Sequence, residues 1–267
     1  MTAKKHPDNQ EIAPTFSIVT VVFNGKGHLR GTIESVRQQS WPYIEYIIVD
    51  GGSTDGTVAV IHEYAEVMPQ MKWVSEPDRG LYDAMNKGLG LATGDFILFL
   101  NSGDHLHSPA TIGAIASLAN DDTDVIYGET MLVDDNRRPA GLMSELSTRT
   151  LPAKLNWRQY LGGMRVIHQS FIARRTIAPP YLEDNLCADY DWCIQILKKS
   201  RKIVNAGLVI SDYLMGGVSK KRHRQSLQDR FQVMRMHFGL FPTLAAHAWI
   251  LLRAITHRLS RTGKSRY

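Results

Sequence analysis

Ser75-Glu76-Pro77-Asp78-Arg79-Gly80-Leu81-Tyr82-Asp83-Ala84-Met85-Asn86-Lys87-Gly88 packs acids, an arginine, a lysine, a tyrosine and two glycines between two apolar runs. A plain connector needs no such variety of polar groups. The stretch lies between two further acidic turns, Asp50-Gly51-Gly52-Ser53-Thr54-Asp55-Gly56-Thr57 and Asn101-Ser102-Gly103-Asp104, and each follows a short apolar run. Polar turns at one end of neighbouring strands are how an open α/β sheet builds a ligand crevice.

Working outward, Phe16 to Phe23 (FSIVTVVF) is a continuous β-branched and aromatic run, as expected of a strand buried on both faces. Further strands are expected over Tyr46 to Val49, Met71 to Val74, Phe96 to Leu100 and Asp124 to Tyr127. Helical spacing falls between them, over His28 to Gln39, Thr57 to Val67, Leu81 to Ala92 and Pro109 to Leu118. Alternation of this kind implies right-handed βαβ units and a mostly parallel α/β sheet flanked by helices. Past Gly128 the pattern loosens into a turn-rich stretch, expected to be a hairpin and a loop, followed by a helix over Ala188 to Lys199 and a strand within Lys202 to Ile210.

The chain has 267 residues, a net charge of +5 and two cysteines, Cys187 and Cys193, whose spacing is neither a redox nor a zinc pattern. Buried thiols in a reducing compartment fit them, so a cytoplasmic location is expected. The segment from Met1 to Pro14 is polar, lacks the apolar core of a signal peptide and is expected to be disordered. No run of about 18 uncharged apolar residues is present, so no membrane span is expected.

Positive charge gathers late, in Lys220-Lys221-Arg222-His223-Arg224 and in Arg253, Arg258, Arg261, Lys264 and Arg266. Phe241, Leu244, Ala245, Ala248, Leu252, Ile255 and Leu259 recur at helical spacing, making a basic amphipathic helix. Such a helix suits packing on the domain, pairing with another subunit, or an anionic membrane surface. Nucleic acid is not an expected partner, because no recognition motif or aromatic-basic platform accompanies the charge.

The turn after the first strand, Asn24-Gly25-Lys26-Gly27, is neither a dinucleotide fingerprint nor a P-loop, and no nucleophile elbow occurs. Carboxylates stand at the strand ends instead. Acids repel a bare diphosphate unless a divalent cation accepts oxygens from both, so the simplest ligand is a nucleotide diphosphate with a metal. Asp55, ahead of Gly56-Thr57, suits a helix cap. Asp50 is read as a contact to base or ribose, against a plain turn acid. Asp104 is read as a metal ligand, against a cap for the helix near Ser108-Pro109.

Val49 to Thr57 (VDGGSTDGT), Glu76 to Asp95 (EPDRGLYDAMNKGLGLATGD) and Leu100 to Asp104 (LNSGD) together resemble the motifs of the family 2 glycosyltransferases, inverting enzymes of the GT-A fold. The resemblance runs from about Thr15 to Leu132 and resumes over His168-Gln169 and Ala188 to Leu197. It implies a Rossmann-like GT-A domain in two parts, a nucleotide-sugar half over residues 15–132 and an acceptor and base half over 133–215. A basic loop and amphipathic helix follow over 216–267. It further implies a nucleotide-sugar donor, an Mg²⁺ or Mn²⁺ ion and an acceptor hydroxyl on a glycan or lipid. By motif position Asp104 matches the metal acid, and Thr20, Phe23 and Asn24 match the nucleobase cradle. Asp78, Arg79 and Ser102 fall with the donor, and Asp189 matches the catalytic base.

Two departures matter. Gly51 and Gly103 stand where many members carry a second Asp, so the metal is expected to rest on one carboxylate plus diphosphate oxygens. The Q-x-x-R-W element of processive synthases is absent, so one sugar is expected per encounter. Asp189 and Asp191 point in different directions on a helix, so one of them reaches the site, and motif position favours Asp189. His168 is read either as a satisfied buried histidine or as a contact to acceptor or diphosphate. Lys221, Arg222 and His223 after Gly216-Gly217 suit a loop closing over the diphosphate. The leading expectation is a non-processive transferase of surface polysaccharide or glycolipid assembly at the inner membrane face. A nucleotidyltransferase and a catalytically silent nucleotide-binding module are the alternatives.

Overall fold

The computed structural model of the chain describes residues 13–147, 150–216 and 223–262. The expected disorder of the N-terminal segment falls on residues 1–12, outside the described residues. Four parallel strands form the first half of the sheet: β1 (Phe16–Val22), β2 (Ile44–Asp50), β3 (Lys72–Ser75) and β4 (Phe96–Phe99). Helices α1 (Lys26–Arg37), α2 (Thr57–Val67) and α3 (Leu81–Leu91) connect them. The chain continues through β5 (His105–Leu106), α4 (Thr111–Ala116), β6 (Thr123–Val133), β7 (Pro139–Leu142) and α5 (Met143–Leu146). Then come β8 (Phe171–Arg174), α6 (Ala188–Lys199), β9 (Lys202–Leu214), α7 (His223–Phe238) and α8 (Leu240–Thr262).

All strands share one sheet in the order β3-β2-β1-β4-β8-β6-β9-β5, with β7 paired to β6. β1 is buried along its whole length because both faces are covered. Phe16, Ile18 and Val22 pack with Leu29, Ile33, Val60, Ile61, Ile112 and Ile115 from α1, α2 and α4. Val19 and Val21 pack on the other face with Met85 of α3, Trp192 and Ile196 of α6 and Val233 of α7. That two-sided cover is why β1 reads as a continuous apolar run.

β8 runs antiparallel between β4 and β6, so a strand of the C-terminal part is built into the N-terminal part. The expected hairpin after Val133 exists as β6–β7. The 16-residue helix α7 was not expected, since the basic cluster at its start masked its periodicity. Among the described residues no helix is long and apolar enough to cross a membrane.

Candidate active site

The C-terminal ends of β1, β2 and β4 turn together, and hydrogen bonds between turns hold them in register. After β1, Asn24 adopts a φ of 48°. Its Oδ1 accepts from Thr54 N at 2.9 Å, and its own N donates to Ser53 Oγ at 2.7 Å. Asp55 accepts from Thr57 N and from Lys26 N, the capping role its position suggested. Phe23 projects outward from this turn, 64% exposed.

Asp50 is fully buried. Its Oδ2 accepts from Gly52 N, Ser53 N and Ser75 Oγ, so one oxygen shapes the turn, while Oδ1 has no partner in the protein. Asp78 leans over Gly51: a Cβ at residue 51 would lie 2.2 Å from Asp78 Oδ2. The carboxylate of Asp78, from the next strand end, thus occupies the space beside Gly51. Arg79 turns away from this group and bridges Asp83 at 3.0 Å and Glu183 at 2.5 Å, with its side chain 74% exposed.

After β4, Gly103 holds a φ of 102°, which disfavours any side chain there. Asp104 is buried, and its oxygens accept from Leu214 N at 3.0 Å and Gln169 Nε2 at 2.8 Å. Burial pushes its carboxyl up to about 6, against those hydrogen bonds and the nearby His168 and Arg137 charges. Arg137, from the β6–β7 turn, donates to Gly103 O at 2.5 Å.

The base candidate stands in the first turn of α6. Asp189 Oδ1 caps Tyr190 N at 2.8 Å and lies 3.3 Å from the buried Tyr82 hydroxyl. Its Oδ2 faces His168 Nδ1 at 3.5 Å. His168 is buried, and its Nε2 lies 3.2 Å from Asn101 Nδ2. Asp104–Gln169 and Asn101–His168–Asp189 therefore form adjoining links from the β4 turn to α6. Asn101 Oδ1, Ser102 Oγ, His168 Nδ1 and Gln169 Oε1 are buried along them with no hydrogen bond in the protein. Buried polar atoms are rarely left so, and four in one crevice mark a place for a polar ligand.

Three expectations need correction. Thr20 does not face this crevice: it is buried in β1, donating to Leu100 O at 2.8 Å and lying 3.1 Å from the Tyr46 hydroxyl. Asp191 does not reach it either. It is 1% exposed and meets His237 Nε2 of α7 at 2.6 Å and Gln195 Nε2 at 2.6 Å, beside an open cavity of about 340 Å³ on the far side of α6. The 100° step per residue of a helix separates it from Asp189. Arg79 is committed to its ion pairs rather than turned towards the donor turns. Lys221 and Arg222 lie outside the described residues, and His223 opens α7. Tyr82, Asn101, Gln169 and Arg137 were not singled out from sequence. The first three lie inside quoted motifs, whereas nothing near Arg137 signals its reach to Gly103.

Among the described residues no group of three or more His, Cys, Asp or Glu could hold a metal ion. The Asp104 carboxylate keeps lone pairs beyond its two hydrogen bonds, and Asn101 Oδ1 and Ser102 Oγ of the same turn have no partner in the protein. Such a set fits a hard cation that keeps waters and takes most of its ligands from a diphosphate.

A sheet with this topology, carrying polar turns at its strand ends and a carboxylate on the facing helix, is the GT-A fold of glycosyltransferases. Residues 17–178 match the model of glycosyl transferase family 2, and the chain belongs to that family. A PGL/p-HBAD biosynthesis glycosyltransferase of Mycobacterium tuberculosis is 29% identical over 266 residues, 93% of this chain and 99% of that protein. Residues 1–349 of Staphylococcus aureus TarS, solved with UDP-GlcNAc, superpose with a TM-score of 0.66 at 18% identity. That match covers 83% of this chain and 65% of the TarS fragment. The mannosyltransferase PcManGT of Pyrobaculum calidifontis, solved with GDP-Man and Mn²⁺, gives 0.63 at 16% identity over 96% of this chain and 77% of its own. The chain is a glycosyltransferase.

Proposed function

We propose that this glycosyltransferase moves one sugar, with inversion, from a nucleotide diphosphate to a hydroxyl of a glycan or lipid-linked acceptor in glycolipid or surface polysaccharide assembly. A UDP-sugar is the first donor to test, as TarS was solved with one. The M. tuberculosis relative, named for glycolipid biosynthesis, supports the acceptor class. The observation that carries the reading is the Asp189 carboxylate, held by Tyr82 and its own helix turn with Oδ2 facing His168 across from the β4 turn.

The acceptor oxygen attacks the anomeric carbon, the bond from that carbon to the diphosphate oxygen breaks, and the acceptor proton passes to Asp189 Oδ2. His168 positions that oxygen, itself held through Asn101. Phe23 offers a flat apolar face to a base, and Asp50, buried under the turn with Oδ1 unpartnered, would meet base or ribose once a donor displaces the turn above it. Asn24 and Asp78 shape the cradle walls, and Ser102 is assigned to the donor by its place in the β4 turn. Asp104, with Asn101 Oδ1 and Ser102 Oγ, would hold Mg²⁺ or Mn²⁺, which supplies charge stabilisation to the departing diphosphate when bound. The Mn²⁺ in the PcManGT structure supports a divalent ion. Lys221, Arg222 and His223 remain candidates for diphosphate contacts, and an inner-membrane-face location suits a lipid-linked acceptor.

Asp189→Asn is the test. It should leave UDP affinity within about twofold and lower transfer by roughly 10²–10⁴-fold, the usual range for a lost general base. Unchanged transfer would remove Asp189 from the mechanism. Release of pyrophosphate instead of UDP would favour a nucleotidyltransferase, and anomeric analysis of the product tests inversion.

A further inference from the structure

The helix α8 has two unlike sides. Its inner side is used: Thr243 is fully buried, Ala246 packs against the core of α3, α6 and α7, and the His247 ring meets Phe231 of α7 at 5.2 Å. Its outer side carries Phe241, Leu244, Trp249 and Leu252, which are 82%, 50%, 61% and 53% exposed. Leu240 at its start and Met236 of α7 are exposed as well. Contiguous apolar surface of this kind on a single chain marks an interaction site. From Phe241 to Leu252 the helical repeat visible in the sequence therefore faces away from the domain rather than into it.

Charge decides the occupant. After Asp229 the sequence contains no Asp or Glu, whereas Arg253, Arg258, Arg261, Lys264 and Arg266 follow the apolar stripe. A second copy of the chain would bring a second set of the same cations and no acid from this segment to meet them. An anionic bilayer surface takes both features: apolar side chains at the headgroup boundary and arginines among the phosphates. The stripe from Phe241 to Leu252 is about 17 Å long at 1.5 Å per residue, far short of the roughly 30 Å hydrocarbon core. Trp249 is of the type enriched at that boundary.

We infer that α8 lies in the plane of an anionic membrane surface with Phe241, Leu244, Trp249 and Leu252 inserted, so that the domain works while docked. The inference rests on the glycosyltransferase reading for the lipid-linked acceptor it brings within reach. Binding is measured apart from transfer, so the two fail separately.

The experiment is flotation of the full chain with phosphatidylcholine vesicles, with and without phosphatidylglycerol, at low and high salt. A paired variant, Leu244→Glu with Leu252→Glu, changes two outward residues remote from the crevice. The wild-type chain should float with the anionic vesicles at low salt and much less with phosphatidylcholine alone. The variant should lose at least about tenfold in affinity, as expected when two leucines no longer insert. Unchanged circular dichroism and donor hydrolysis in the variant show that fold and crevice are intact. No flotation at low salt, or equal flotation of the variant, overturns the inference. So does a wild-type dimer in sedimentation that the variant dissociates, which would assign the face to a second copy.

Discussion

Replacing Asp104 by Asn should make the metal-free protein more stable while impairing its use of a nucleotide sugar. Burial holds this carboxyl at about 6, against an ordinary 3.8. The shift is upward, so the native state binds more protons than the unfolded chain between those values, and stability falls as pH rises through that window. About two pKa units correspond to about 3 kcal/mol, an upper bound on what the buried charge costs above pH 6. Asn removes the charge and keeps the shape. Its Oδ1 still accepts from Leu214 N, and Gln169 can turn its amide so that Oε1, now without a partner, accepts from the new Nδ2.

Thermal melts in EDTA at pH 8 should place D104N above the wild type by several degrees, at roughly 2 °C per kcal/mol for a chain of this size. At pH 5 the wild-type carboxyl is mostly protonated and the gap should shrink. Adding Mn²⁺ with UDP should raise the wild-type melting temperature more than that of D104N, since ligand linkage needs the carboxylate. A variant less stable than the wild type at pH 8, or a gap independent of pH, would refute the reasoning.

Two further outcomes test parts of the fold away from the crevice. Burial pushes the Glu45 carboxyl up, but hydrogen bonds from Lys72, Ser17 and Thr93 outweigh it and hold the group down at about 2. Its contribution is therefore present above pH 4.5 and lost as pH falls towards 2, so E45Q, with solvent screening of the half-exposed Lys72 pair discounted, should cost about 1 kcal/mol in urea melts at pH 7 and less at pH 3. His237→Ala leaves the buried Asp191 without its α7 partner and should cost about 3 kcal/mol. Donor hydrolysis at temperatures below the melt should be unchanged, and a selective loss of activity would return Asp191 to the crevice.

The parallel half of the fold was legible because β1, β2 and β4 are covered on both faces and read as unbroken apolar runs. Its turns were legible because three polar clusters at strand ends have few other uses. Thr20 misled because motif position set it with Phe23 and Asn24 in the nucleobase cradle, and only the Leu100 and Tyr46 partners show that it satisfies itself in the core. The basic residues that open α7 hid a helix whose apolar face is narrow. Arg137 was invisible because its contact with Gly103 spans 34 residues of chain. The outward apolar face of α8 was seen as a period but not as a direction, since a period fixes which residues share a face and not what that face meets.

Because β8 is hydrogen-bonded to β4 on one side and to β6 on the other, the two parts of this enzyme cannot be recombined as modules. A graft that kept residues up to 132 and took a foreign remainder would import a strand that must fit both host neighbours in register. Exchanging single turns around α6 would leave that three-strand pairing intact, whereas cutting the polypeptide in half would not.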